Sequence, residues 1–268
     1  MATLLKICNN RISMLKSSIV KGSKSGSILF LHGNSSSSRV FSEIMISDII
    51  QQTKISIDLP GHGGSCHQNT GLTVTEVKGE LIEFVLSIKE EVIIVGNSLG
   101  GHLAIEIALG LNNLKGLVIF GTPPFKKPIN FEEAFIPNDA LNTFLIENPT
   151  RREVEKAIKY AVHNEDHQHI LIEDFMNANP KVRSSLLKDF QEENWSDQEE
   201  IFTNLDIPKY IIKGKQDPSV NPKYIETVCQ KSKNCTLIEF KNCGHYPSLE
   251  KPDEFIETIK LISESVFQ

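Results

Sequence analysis

A serine hydroxyl is a weak nucleophile at neutral pH unless a histidine takes its proton, and that histidine needs a carboxylate to orient it. The chain of 268 residues offers a serine in a setting built for this use. Ser98 lies in Gly96-Asn97-Ser98-Leu99-Gly100, directly after the apolar run Val92–Val95 and before helix-forming residues from Leu99 to Leu111. Strand, tight turn, serine and helix together are the context of a nucleophile elbow. The flanking glycines permit a turn so sharp that bulkier side chains would collide with the adjoining chain. The helix beginning at the serine points unpaired N–H groups toward any negative charge that develops there.

The partners of such a serine follow strands downstream, in the order serine, acid, histidine. Asp217 meets that requirement, five residues past the strand-like run Lys209–Ile212 and just before Asn221-Pro222, which caps and opens a helix. Aspartate also serves turns and caps, but the other loop that could supply an acid, Gly121-Thr-Pro-Pro124, holds no carboxylate. His245 follows the last strand-like run, Cys235–Phe240, in Cys243-Gly-His-Tyr-Pro247. His32 and His62 lie in turns upstream of the serine, His67 in a polar loop and His102 in the elbow helix. His163, His167 and His169 read as a solvated helix junction, because no second half of a metal motif accompanies them. An oxyanion needs two donors. The backbone N–H of Leu99 is one, and the loop His32-Gly33-Asn34 after Ile28–Leu31 supplies the other through Asn34. The Asn34 side chain is placed to touch substrate as well, unless Asn34 only shapes its turn.

These loops must be held by an α/β sheet. Leu4–Cys8 and Ile12–Val20 read as two strands around an Asn9-Asn10 turn, and Lys54–Ile57 and Gly116–Phe120 as further strands. Helices are expected around Val40–Ser47 and over Thr73–Lys89, where Thr73 and Glu76 form a capping box. Others are expected over 222–231 and from Pro252 to Val266. Between Pro124 and Leu205 no run resembles a buried strand. Charged helical segments appear instead, over Asn138–Ile146, Thr150–Val162, His167–Met176 and Pro180–Phe190. The expected organisation is a core of residues 1–124 and 206–268 with a mostly parallel sheet covered by helices, and a helical insertion at 125–205. Ligands of such sheets bind at the carboxyl ends of the strands, where Ser98, Asp217, His245 and Asn34 all fall.

Composition narrows the alternatives. Net charge is −6, with 28 basic and 34 acidic residues interspersed, so no basic stripe suggests nucleic acid. Five cysteines, with no Cys-x-x-Cys, fit reduced thiols in a cytoplasmic protein better than a disulfide framework or zinc site. Cys243, two residues before His245, reads as a small buried hydrophobe. No stretch reaches the length of a membrane span, and the opening residues lack the features of a signal peptide. Gly61-His-Gly-Gly64 lacks the lysine of a phosphate loop and reads as a tight turn. No cofactor or metal is expected, and the chain is expected as a monomer or homodimer.

His-Gly-Asn at 32–34, Asp-Leu-Pro-Gly-His-Gly-x-Ser at 58–65, Gly-Asn-Ser-Leu-Gly-Gly at 96–101, Asp217 and Gly-His at 244–245 together resemble the α/β-hydrolase superfamily over roughly residues 28 to 265. The insertion then resembles that family's lid or cap. His-Gly-Asn-Ser-Ser-Ser at 32–37, Ser-Leu-Gly-Gly-His at 98–102, Gly-Thr-Pro-Pro at 121–124 and Asp-Pro-x-Val at 217–220 are similar to α/β-hydrolase-type N-acyl-homoserine lactonases. The resemblance implies a metal-free serine hydrolase acting on a small-molecule ester or lactone through an acyl-enzyme. Dehalogenases and epoxide hydrolases of this fold use an aspartate where Ser98 stands. C–C bond hydrolysis, acyl transfer, perhydrolysis and a small-molecule receptor on the same fold remain alternatives.

Overall fold

The computed structural model describes residues 2–8, 11–65 and 72–268, and side chains from Leu15 onward. Strands β1 (Ala2–Cys8) and β2 (Arg11–Val20) pair antiparallel, and the Asn9-Asn10 turn expected between them lies outside the described residues. The other strands are β3 (Ser27–Leu31), β4 (Thr53–Ile57), β5 (Val92–Asn97), β6 (Leu114–Phe120), β7 (Lys209–Gly214) and β8 (Cys235–Phe240). They form an eight-stranded sheet in the order β1-β2-β4-β3-β5-β6-β7-β8. From β4 to β8 every pairing is parallel, and β2 joins β4 antiparallel.

The central strands are apolar throughout because both sheet faces are covered, and alternate residues feed two cores. Leu29, Ile94, Leu117 and Ile119 enter one core, with Leu81 and Phe84 of α2 (Val74–Ser87), Leu103 and Ile107 of α3 (Leu99–Ala108), and Val228. Ile28, Phe30, Ile93, Val95, Val118 and Phe120 enter the other, with Ile44 of α1 (Ser42–Ile46) and with Phe255 and Ile259. The helix expected at 40–47 begins as a 3-10 turn, Ser38–Phe41, that runs into α1. The capping box of α2 forms: the Thr73 hydroxyl accepts the Glu76 N–H, and the Glu76 carboxylate accepts the Thr73 N–H.

Between β6 and β7 the chain is helical: α4 (Phe131–Ala134), α5 (Arg151–Ala161), α6 (Gln168–Asn177), α7 (Lys181–Gln191) and α8 (Gln198–Asn204). A second capping box, Thr150 with Glu153, opens α5. Residues Asp139–Leu145 form a 3-10 helix, where 138–146 reads as a further helix in the sequence. Buried Ala140 and Thr143 lie three apart and so share one side of that tighter helix. The short α4 and α8 carry too few turns to show a periodic pattern. After β7 come α9 (Pro222–Lys231), and after β8 come α10 (Pro247–Glu250) and α11 (Pro252–Val266). Among the described residues no helix is long and apolar enough to cross a membrane.

Candidate active site

The loops that leave β3, β5, β7 and β8 carry the residues singled out by chemistry. Ser98 joins β5 to α3 with φ 50° and ψ −118°, a conformation that an L-residue holds only under constraint. The constraint is visible. Its N–H donates to the Phe120 carbonyl at 2.9 Å, and its own carbonyl accepts from the N–H of Gly101 and His102 and from the Thr122 hydroxyl. Gly100 sits against β3, where a Cβ would stand 2.2 Å from the Leu31 carbonyl oxygen, so the motif's second glycine is a packing requirement. The Ser98 side chain makes no capping bond with its helix and is partly exposed. As the first residue of α3, Leu99 has an N–H without an intrahelical acceptor.

Asp217, on the loop after β7, and His245, on the loop after β8, are in contact. Nδ1 of His245 lies 2.9 Å from Asp217 Oδ2, so Nδ1 carries the proton and Nε2 the lone pair. The other carboxylate oxygen, Oδ1, accepts from the Ser219 N–H at 2.9 Å and the Ser219 hydroxyl at 2.6 Å, while Ser219 Oγ also lies 3.0 Å from His245 Nδ1. Burial works against the charge on Asp217. The His245 ring, with hydrogen bonds from His245 and Ser219, outweighs it and holds the carboxyl below the usual range. For His245, burial likewise opposes the imidazolium, but the Asp217 charge and hydrogen bond, with Glu250 beyond, raise the pKa above 6.5.

Two features bring the histidine loop to the serine loop. Nδ2 of Asn97, beside Ser98, donates to the carbonyls of Phe120 and His245 at 3.4 and 3.3 Å. Gly121, with φ 62°, lies against the His245 ring, where a Cβ would stand 2.5 Å from Cε1. Buried Glu250 then locks the histidine loop in place. Its carboxylate accepts N–H groups from Gly244 and Tyr246 on that loop, and from His163 and Asn164 at the end of α5. The His245 N–H itself donates to the Ala161 carbonyl at 3.0 Å.

The loop after β3 is braced by two buried histidines. His32 donates from Nδ1 to the Gly33 carbonyl at 2.8 Å and accepts the Leu59 N–H on Nε2 at 2.9 Å. His62 donates from Nδ1 to the Pro60 carbonyl at 2.8 Å and accepts the Ser35 N–H on Nε2 at 3.0 Å. Each ring is thereby fixed as the neutral Nδ1–H tautomer, and the two meet edge to face at 5.1 Å. Burial lowers the His32 pKa to about 4. Burial, then the His32 charge, lowers that of His62 to about 3. Unfolded histidines take up protons below about pH 6.5 while these rings stay neutral, so stability is full above that value and falls as the pH drops toward 4. At pH 5 each ring costs roughly 2 kcal/mol. Urea midpoints should therefore fall steeply between pH 7 and 5, and less steeply in His62→Gln. An unchanged slope in that variant would count against the assignment.

The Asn34 side chain is committed to the fold. Its Nδ2 donates to the Phe144 carbonyl at 2.7 Å and its Oδ1 accepts from the Ser35 hydroxyl at 3.3 Å. What it leaves for a ligand is the backbone N–H. Gly33 is close by, where a Cβ would stand 3.2 Å from Ser98 Cβ, so this loop abuts the serine.

A family profile for alpha/beta hydrolases matches residues 28–258, from β3 into α11. The chain belongs to the alpha/beta hydrolase family. It is 24% identical over 241 residues to a pimeloyl-[acyl-carrier protein] methyl ester esterase of Nitrosomonas europaea, covering 85% of this chain and 92% of that relative. In three dimensions it superposes on an N-acyl homoserine lactonase complexed with N-hexanoyl homoserine lactone. The TM-score is 0.84 at 22% identity, over 98% of both chains. An esterase from Exiguobacterium antarcticum superposes with a TM-score of 0.81 at 18% identity, over 98% of this chain and 100% of the other.

In this hydrolase, Ser219, His32, His62 and Glu250 shape the site without having been singled out as site residues from the sequence. Ser219 stands two residues past Asp217, an Asx-turn spacing that signals a hydroxyl on the carboxylate. The bond from Ser35 to His62 and that from His163 to Glu250 reach 27 and 87 residues along the chain, which no local pattern reveals. Cys243 is buried, and burial raises its thiol pKa first of all, which leaves it packing rather than reactive.

Proposed function

We propose that the protein is a serine hydrolase of small carboxylic esters, lactones included, and that residues 125–205 form its cap over the core. The observation that carries this reading is the Asp217–His245 pair held against the strained Ser98 turn. Nε2 of His245 removes the Ser98 proton as Oγ attacks the substrate carbonyl. The N–H groups of Leu99 and Asn34 hold the resulting oxyanion. Collapse of that intermediate breaks the C–O bond, and His245 protonates the departing alkoxide. Water, activated by the same ring, then releases the acid from the acyl-enzyme and restores Ser98. In a lactone the alkoxide stays tethered to the acyl group until this second step. Family membership and the ester- and lactone-cleaving relatives support the reaction class.

Beside Leu99, Leu59, Leu72 and Val74 of the core face Val182 and Leu186 of α7 and line an apolar pocket. We take this pocket as the acyl site, so the expected substrates carry acyl groups short enough to fit between the core and α7. With p-nitrophenyl esters, kcat/KM should fall at least about tenfold from butyrate to decanoate, the loss expected when methylenes find no apolar site. Acyl-homoserine lactones of matched chain length, assayed beside the esters, decide between ester and lactone preference. Repeated turnover with fluorophosphonate labelling at Ser98 supports an enzyme, whereas binding without turnover would support a receptor on the same fold.

A further inference from the structure

Ser35 follows Asn34 and has φ 55°, a left-handed conformation that a serine adopts only when its surroundings impose it. Two groups impose it from opposite sides. His62 of the core takes its N–H, and the guanidinium of Arg183 donates through Nη1 to its hydroxyl at 3.1 Å. That hydroxyl in turn donates to Asn34 Oδ1.

Arg183 is an unusual residue for the first turn of a charged helix. It is 3% exposed, and among the described residues it makes no salt bridge with a carboxylate. Its donors are spent instead on carbonyls: Nε on Ile146 at 2.9 Å, Nη2 on Glu147 at 2.8 Å and Nη1 on Phe175 at 3.4 Å. Its cation also lies over the Phe175 ring, 4.5 Å from the centroid. One side chain thus ties α7 to two other pieces of the insertion, residues 146–147 and α6, and presses them on a single hydroxyl of the core. A buried cation is costly unless its donors are all engaged, and the residue it engages in the core is the strained one beside the expected oxyanion donor.

We propose that Arg183 is a positioning residue: acting through Ser35, it fixes the peptide whose Asn34 N–H faces the reacting carbonyl. The insertion is then part of the oxyanion site and does more than cover it. This inference rests on the serine-hydrolase reading.

The test uses the full-length protein with a short p-nitrophenyl ester as substrate. Arg183→Met and Ser35→Ala should each lower kcat by about tenfold or more with KM changed less than about threefold, since a misaimed oxyanion donor is felt mainly in the transition state. The double variant should lose no more than the worse single one, because both changes break one link. Arg183→Lys keeps the charge without the fork and should recover only part of the loss. If Arg183→Met does not fold, Ser35→Ala alone decides, since it removes one hydroxyl and leaves the arginine in place. Folded variants with kcat within twofold of the parent, or losses that multiply in the double variant, would overturn the proposal. A parent enzyme that fluorophosphonate does not label at Ser98 would instead overturn the serine-hydrolase reading.

Discussion

Ser98→Ala should reduce ester turnover by at least about a thousandfold while the protein stays folded. The chemistry leaves no substitute for the hydroxyl, because the groups around it supply proton transfer and charge stabilisation but no second nucleophile. The backbone makes the experiment clean. Alanine meets the same penalty as serine at φ 50°, and the bonds that hold the turn come from main-chain groups and Thr122, which the substitution leaves in place. Ser98→Gly should be equally inactive yet more stable than Ser98→Ala by about 1 kcal/mol, since glycine adopts positive φ freely. Thermal unfolding of the two variants measures that difference. If hydrolysis survived in either, Ser98 would not be the nucleophile.

Asp217→Asn should lower kcat by about a thousandfold or more and also move the pH profile. The sign follows from the site. In the proposed mechanism the general base is neutral His245, so kcat/KM is expected to rise with pH and level off once the ring has lost its proton. With Asp217 in place the ring holds its proton to a pH above 6.5, and the acid limb of the parent enzyme lies there. Asparagine removes the negative charge, and burial, which disfavours the imidazolium, is left in control. The limb should then move below 6.5. The low remaining rate has a second cause. An asparagine side chain can donate to Nδ1 and favour the wrong tautomer, which puts the proton on Nε2. A profile recorded from pH 5 to 9 on both proteins tests the argument. A limb that stays in place would mean that Asp217 does not govern the ring.

Much of this site is legible along the chain because its parts obey local rules. The Gly-x-Ser-x-Gly turn must follow a strand and open a helix, and it does. Thr73 with Glu76 and Thr150 with Glu153 announce their helices through caps that form within four residues. Continuous apolar runs mark the central strands, and the parallel strands β3 to β8 place the loops that follow them on one edge. Asp217 and His245 are named by chain order and by that edge, and the structure brings their side chains to 2.9 Å.

What the sequence determined by itself is therefore the type of fold and the candidates for the reacting groups, since periodicity, caps and turn chemistry act between near neighbours. Only the tertiary structure decided how those groups are held. Arg183 lies in a segment that the sequence marks only as charged and helical, yet it is buried against a serine 148 residues away. Glu250 carries no signal in the sequence, yet it joins the histidine loop to the end of α5. His32 and His62 are bystanders in chain order, yet they brace the loop that carries Asn34. Each of these side chains also bonds a group far along the chain, and the identity of a distant partner is fixed only when the chain has packed.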